Sequence, residues 1–141
     1  MGAPSHEFKT LIRESHLDTF GHVNNAKYLE LFEQARWDII SAGGYGLDKV
    51  LATQEGPVVL AVNVRFRREL HLREAITIQS QFIEMGKKVG LLRQTLLNEA
   101  GEESAVADFT MGFFDLKKRK LIAPTQAWLD AVGWTGPLSN N

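Results

Sequence analysis

Hydrophobic positions follow a helical spacing in the first third of the chain. Between residues 26 and 42, apolar side chains recur three or four positions apart, which predicts a helix with one buried face. That face is formed by Tyr28, Leu31, Phe32, Ala35 and Ile39. Asn24 or Asn25 can cap the start of this helix and Gly43 can end it, because these residue types suit those backbone positions.

Most of the remaining chain alternates apolar and polar residues with the period of two that is typical of strands. In the longest run, residues 57–68, one face is predicted to carry Val58, Leu60, Val62, Val64 and Phe66. Further strands are predicted at residues 8–13, 75–85, 89–98 and 103–115, and a short helix at 126–132. Short links between the last three strands favour antiparallel hairpins. The final residues, 133–141, are rich in turn formers and are predicted to fray.

This order of elements predicts an α+β fold in one domain, residues 1–141, with its core between about residues 6 and 120. One helix covers only part of a five-stranded antiparallel sheet, so apolar sheet surface is left over. The strand at 57–68 offers an edge with a long apolar face. We therefore expect it to pair with its copy across a two-fold axis, giving a homodimer or a homotetramer.

Composition narrows the possible functions. The chain has 141 residues, 44% of them hydrophobic, and a formal net charge of −1. Such a chain has enough apolar residues to build a core, and it lacks the basic excess of a general nucleic-acid binder. No cysteine is present, which excludes disulfides, thiolate metal sites and a cysteine nucleophile. We expect a cytoplasmic protein, since neither a secretory signal nor a membrane span is visible.

The candidate chemistry is concentrated directly before the predicted helix. His16, Asp18, His22, Asn24 and Asn25 lie within ten residues. Unpaired N–H groups at a helix start suit a developing oxyanion, and a nearby carboxylate can act as general base or nucleophile. The alternative is that these residues only cap turns. The spacing of the histidines and the aspartate fits no standard zinc pattern, so no metal is expected.

The pattern Asp-x-x-Gly-His-Val-Asn-Asn-x-x-Tyr, residues 18–28, resembles the signature of hotdog-fold thioesterases of the 4-hydroxybenzoyl-CoA thioesterase and acyl-ACP thioesterase type. Glu33-x-Ala35-Arg36 continues the similarity, which covers roughly residues 6–120. The resemblance implies a five-stranded antiparallel sheet wrapped around one long helix. It also implies hydrolysis of an acyl-CoA or acyl-ACP thioester without any cofactor, since coenzyme A is part of the substrate.

The resemblance assigns roles to three residues. It makes Asp18 the catalytic carboxylate, and it makes the backbone N–H of Asn25 the donor to the thioester carbonyl. His22 matches a histidine implicated in the chemistry of the plant enzymes. Two departures leave the assisting residues open: Phe20 stands where those enzymes carry Asn, and His16 where many bacterial relatives carry Asp. A non-catalytic protein that binds acyl thioesters and a hotdog dehydratase are the alternatives.

Further residues are candidates for substrate binding. Tyr28 can line the acyl pocket or fill the core. Cations can grip the phosphates of coenzyme A or simply lie solvated at sheet edges; they are Arg65, Arg67, Arg68, Lys87, Lys88 and the run Lys117, Lys118, Arg119, Lys120. Glu33 can act as an acid or base, but Arg36 follows it at i+3, which favours a surface or interface ion pair.

Overall fold

The computed structural model describes residues 3–141, and its elements follow the predicted order. The long helix α1 spans Asn25–Ala42, and two short helices follow, α2 (Leu47–Thr53) and α3 (Gln126–Val132). The strands are β1 (His6–Leu11), β2 (Glu55–Phe66), β3 (Ala75–Met85), β4 (Val89–Leu97), β5 (Glu103–Asp115) and β6 (Lys120–Ile122). The five predicted strands and the predicted helices are present, while α2 and β6 were not predicted.

The sheet is antiparallel throughout. Its order is β1-β3-β4-β5-β2, and β6 pairs with the last three residues of β5. Helix α1 packs on one face, where Phe32 meets Phe109 of β5 with ring centroids 6.0 Å apart. Among residues 3–141, β2 pairs only with β5, so its other edge is open.

A β-bulge changes the apolar pattern of β2. The register with β5 shifts between Val59 and Ala61, so that Val59 lies opposite Met111 and Val62 opposite Phe109. Residues directly opposite share a face, and the extra residue at the bulge reverses the alternation. The prediction that one face carries Val58, Leu60, Val62, Val64 and Phe66 is therefore wrong for its first two members. The strand instead exposes apolar side chains on both faces: Val59, Leu60, Val62 and Phe66 are 40–55% exposed.

Arg36 corrects a second expectation. Instead of pairing with Glu33 on the surface, its side chain turns into the core and is only 9% exposed. Its Nη1 donates a hydrogen bond to Oε1 of Gln94 at 3.1 Å, and its guanidinium lies 4.3 Å from the ring centroid of Phe109. Burial lowers the pKa of Arg36. Within residues 3–141 Glu33 forms no ion pair with it.

Gln94 connects this arginine to the sheet and to the helix backbone. Its Nε2 donates to the carbonyl oxygen of Phe32 at 3.0 Å and to Oγ of Ser80 at 2.9 Å. Gln94 is fully buried, so these three hydrogen bonds take the place of the hydrogen bonds that its amide would form with water in the unfolded chain.

Replacing Gln94 by Leu is expected to lower the free energy of unfolding by about 1–3 kcal/mol, because buried polar groups are left without partners. Chemical denaturation measures this value. Glu33→Gln serves as the control and should stay within about 0.5 kcal/mol of wild type, since Glu33 is exposed. A Gln94→Leu variant as stable as wild type would contradict the structural role of this network.

The end of the chain forms backbone hydrogen bonds with the β3–β4 turn. The N–H of Ser139 donates to the carbonyl of Met85, and the N–H of Lys87 donates to the carbonyl of Ser139. The N–H of Lys88 donates to the carbonyl of Asn141. Residues 139–141 thus form an additional strip along the β3–β4 turn, which their turn-rich composition does not reveal.

Candidate functional site

A cleft of about 320 Å³ opens at the start of α1. Phe66, the last residue of β2, and residues 67–70 form one side of it. His22, Val23, Asn25 and Tyr28 form the other. The structure thus brings together several residues that the sequence singled out, namely His22, Asn25, Tyr28, Arg67 and Arg68.

Asp18 shapes the loop that carries His22. Its Oδ1 accepts hydrogen bonds from the N–H groups of Phe20 at 2.9 Å and His22 at 3.2 Å. Its own N–H donates to the carbonyl of His22 at 2.8 Å. Asp18 is half-buried beside the cleft rather than on its wall. Among the hydrogen bonds of residues 3–141, none involves its second oxygen, Oδ2, which is left for other chemistry.

His16 belongs to the support of this loop. Its Nδ1 accepts a hydrogen bond from the N–H of Arg13 at 2.9 Å, and its carbonyl accepts one from the N–H of Asn24. Burial, followed by the nearby charges of Arg13 and Lys27, lowers the pKa of His16. The ring is therefore neutral at pH 7, as acceptance at Nδ1 requires, and His16 fixes the approach to the helix.

The first turn of α1 leaves one N–H group available. Oδ1 of Asn24 caps the helix by accepting from the N–H of Ala26 at 2.8 Å. The carbonyl of Asn24 accepts from the N–H groups of Lys27 and Tyr28. Within the described part of the chain, the N–H of Asn25 donates to no acceptor. It lies at the positive end of the helix dipole, and Asn25 lines the cleft, so a carbonyl oxygen bound there would find a donor.

Glu69 is a cleft residue that sequence reasoning missed. Its Oε1 lies 3.2 Å from Nε2 of His22, across the cleft. The two residues are far apart in the sequence. Glu69 directly follows Arg67 and Arg68, so from the sequence this segment was considered only for its positive charge. The one feature of the sequence that could have indicated Glu69 is its position three residues after β2, whose last residue, Phe66, contacts Tyr28 of α1.

Tyr28 forms the floor of the cleft. It is 6% exposed and meets the ring of Phe66 edge to face, with centroids 5.0 Å apart. Burial raises the pKa of Tyr28, so its hydroxyl stays protonated at neutral pH. The floor is consequently aromatic, while the rim carries the charged side chains.

The predicted phosphate-binding cations fall into two groups. Arg67 and Arg68 lie on the cleft, where they pair with Glu103 and Glu102 at 3.6 and 3.4 Å. Arg65 lies on β2 outside the cleft.

The lysines of the β3–β4 turn lie at the opposite end of the sheet. Phe66 pairs with Ala105, whereas Val89, next to Lys88, pairs with Gly112. Seven strand residues separate these levels, which is about 23 Å. The run 117–120 follows β5 at the same far end. Lys87 and Lys88 are thus not part of the cleft within one protomer.

Two further observations concern the described residues alone. No group of three or more His, Asp or Glu side chains among residues 3–141 is placed to hold a metal ion. None of the helices in that range combines the length and the apolar character needed to cross a bilayer.

Comparison with known proteins places this architecture among thioesterases. The thioesterase-like superfamily matches residues 12–132. The long-chain acyl-CoA thioesterase FadM of Escherichia coli K12 is 37% identical over 113 residues, which are 79% of this chain and 85% of FadM. The probable thioesterase YbaW of Escherichia coli is 33% identical and superposes with a TM-score of 0.80 over 90% of this chain and 98% of its own.

A more distant likeness shows the fold. The Staphylococcus aureus protein SAV2348, solved in complex with CoA, is 17% identical and has a TM-score of 0.85, covering 94% of this chain and 84% of its own. The hotdog arrangement expected from residues 18–28 is confirmed by these superpositions, with a sixth strand in addition. With most of its length matched, from Ile12 to Val132, the chain belongs to the thioesterase-like superfamily.

Proposed function

We propose that this protein hydrolyses acyl-CoA thioesters to a free acid and coenzyme A in the cytoplasm, with water as the only co-substrate. The observation that carries the proposal is the unpaired N–H of Asn25, which lies in a cleft beside Asp18 and His22. An apolar floor with cationic residues at the rim suits an acyl thioester attached to an anionic carrier. The similarity to an acyl-CoA thioesterase supports the same reaction.

In the proposed reaction the thioester carbonyl accepts a hydrogen bond from the N–H of Asn25, which stabilises the oxyanion as it develops. Asp18 acts through its free Oδ2, either attacking the thioester carbon or activating a water. Its Oδ1 remains bound to the loop N–H groups, which hold the carboxylate in place. Tyr28 contacts the acyl group at the floor, and Arg67 interacts with the coenzyme A moiety.

Lys87 and Lys88 can contribute to a cleft only if it belongs to a second protomer. An edge strand that pairs with its own copy across a two-fold axis runs antiparallel to that copy. The Glu55 end of the partner's β2 then lies beside the Phe66 end of this one. The partner's turns that carry Lys87 and Lys88, and residues 117–120, are thereby brought to the end of the sheet that holds this cleft. We propose that the site is composite, with Arg65 near the shared interface and the partner's lysines at the phosphates.

The proposal is tested by a hydrolysis screen over short, medium, long and aromatic acyl-CoA substrates, with released thiol as the readout. Acyl-ACP is included as a second carrier. We expect turnover, with long acyl chains preferred, as the similarity to a long-chain enzyme suggests. A protein that binds acyl-CoA in calorimetry and releases no thiol from any substrate would instead be the non-catalytic binder.

The double substitution Lys87→Ser with Lys88→Ser is expected to raise KM for acyl-CoA about tenfold with little change in kcat, because charge-assisted phosphate contacts are lost. Initial rates over a range of substrate concentrations measure both constants. Lys9→Ser, on β1, is the matched control for removing an exposed lysine. An unchanged KM would mean that these lysines are only solvated turn residues.

A further inference from the structure

Arg36 is a buried cation that the proposed reaction does not use. Its guanidinium donates from Nη1 to Gln94 and lies over the ring of Phe109. Burial lowers its pKa, yet a guanidinium stays protonated at neutral pH. Among residues 3–141 no carboxylate forms an ion pair with it. The described part of the chain therefore supplies no negative charge in contact with this positive one.

A buried charge of this kind is costly unless a partner of opposite charge accompanies it. Charged side chains are rarely buried alone, because the apolar interior does not replace the solvation that water provides. Oε1 of Gln94 and the face of the Phe109 ring are both neutral, and only one of the five guanidinium N–H groups donates to an acceptor within residues 3–141. The surroundings of Arg36 thus favour a bound anion.

A small cavity adjoins this guanidinium. It has a volume of about 10 Å³ and lies between α1, α3 and the strands β3, β4 and β5. Arg36 and Trp128 line it, and the rest of its wall is apolar, formed by Ile39, Ile40, Phe82, Leu92 and Met111. A space of this size holds about one water molecule or one monatomic ion, and it is too small for an acyl chain.

Trp128 is a second N–H donor at this cavity. The residue is 3% exposed, and within the described part of the chain its indole N–H donates to no acceptor. Nε1 of Trp134 is the one polar side-chain atom of residues 3–141 that is sealed from open space without a partner. The free N–H groups of Arg36 and Trp128 therefore reach open space, and the cavity is a space that both residues line.

We propose that this cavity binds one small monovalent anion of the halide class, such as chloride, between the guanidinium of Arg36 and the indole of Trp128. The inference goes beyond the proposed function and does not depend on it. One negative charge balances the one cation, and a monatomic ion fits the volume. A guanidinium is weakly hydrated, so it gives up water readily to such an ion. Sulfate and phosphate are excluded by their size.

A bound halide would connect three layers of the fold. Arg36 belongs to α1, Trp128 to α3, and Phe82, Leu92 and Met111 to the sheet. A ligand that binds only the folded chain stabilises it by mass action. Halide concentration should therefore affect the stability of the protein, independently of whether a thioester is present.

Thermal melting of the full-length protein tests this effect. Chloride replaces gluconate at constant ionic strength, since gluconate is too large for the cavity. We expect Tm to rise along a saturable curve, by about 4 °C when chloride reaches ten times its dissociation constant. Arg36→Met removes the cation and should melt equally in both anions. Arg93→Met, which removes an exposed arginine paired with Asp108, is the matched control and should keep the chloride response.

Two further measurements hold even where Arg36→Met does not fold. Trp128→Phe keeps an aromatic ring and loses the N–H, so the chloride titration should shift to about tenfold higher concentration. In crystals of the wild-type protein grown with bromide, an anomalous peak is expected in contact with the guanidinium of Arg36. A water molecule found there in the presence of bromide would overturn the inference. Equal melting temperatures of the wild type in chloride and gluconate would overturn it too.

Discussion

Replacing Asp18 by Asn is expected to lower kcat for acyl-CoA hydrolysis about 10²–10⁴-fold, or more if Asp18 is the nucleophile, while the fold is retained. The amide keeps an oxygen that accepts from the N–H groups of Phe20 and His22, so the loop keeps its shape. The negative charge and the free proton acceptor are lost. Substrate binding should survive and can tighten, because a carboxylate near an anionic ligand is removed. Steady-state kinetics, thermal melting and calorimetric binding are measured together.

Two companion variants separate chemistry from structure. Asp18→Ala loses the loop hydrogen bonds as well, and should also lower the free energy of unfolding by about 1 kcal/mol, the usual value of a lost cap. Asp48→Asn, in the first turn of α2, controls for removing a carboxylate elsewhere. If Asp18→Asn melts normally and hydrolyses at the wild-type rate, Asp18 is not catalytic, and His22 with Glu69 becomes the remaining pair in the cleft.

The second large effect is expected from a substitution at the open edge of β2. Val62→Lys is expected to convert a dimer at micromolar concentration into a monomer, because a charge on this edge opposes pairing with a second copy. Hydrolysis should fall at least about tenfold with it, since the partner's Lys87 and Lys88 no longer reach the cleft. Sedimentation velocity gives the assembly state, and kcat/KM gives the loss of activity.

Ile83→Lys is the matched control for this experiment. Ile83 lies on β3 and is 44% exposed, close to the 40% exposure of Val62, but β4 and β5 separate β3 from the open edge of β2. It should keep both the dimer and the activity. A wild-type protein that sediments as a monomer and is fully active would contradict the composite site. A dimer that survives Val62→Lys would place the interface on another surface.

The fold was largely predictable because its main elements carry strong local patterns. Helix α1 and the strands β3, β4 and β5 were predicted to within about one residue of their bounds. The seven-residue helix α2 was missed, since a helix of only about two turns shows no full apolar stripe. The bulge near Leu60 was missed because both alternating sets of β2 are apolar there, so the sequence does not reveal where the alternation reverses.

The candidate site was predictable mainly where it is contiguous, although Arg67 and Arg68, from the segment after β2, were also singled out. Asp18, His22 and Asn25 lie in one loop and were found together, although their catalytic roles stay predictions. Glu69 reaches the same cleft from a segment beyond β2, and only the folded chain brings it to His22. Arg36 was misplaced because i+3 spacing on a helix indicates a neighbour, but not which side chain turns toward the sheet.

The strip formed by residues 139–141 has a consequence for ligand binding. It occupies the backbone N–H groups of Lys87 and Lys88 from outside the sheet, so the turn is already fixed in its final shape. If these lysines bind a phosphate as proposed, only their side chains lose conformational freedom, and the main chain loses none. Preorganisation of this kind strengthens binding by lowering the entropy lost on association. In the proposed composite site, a distant stretch of chain would thereby contribute to substrate affinity without touching the substrate.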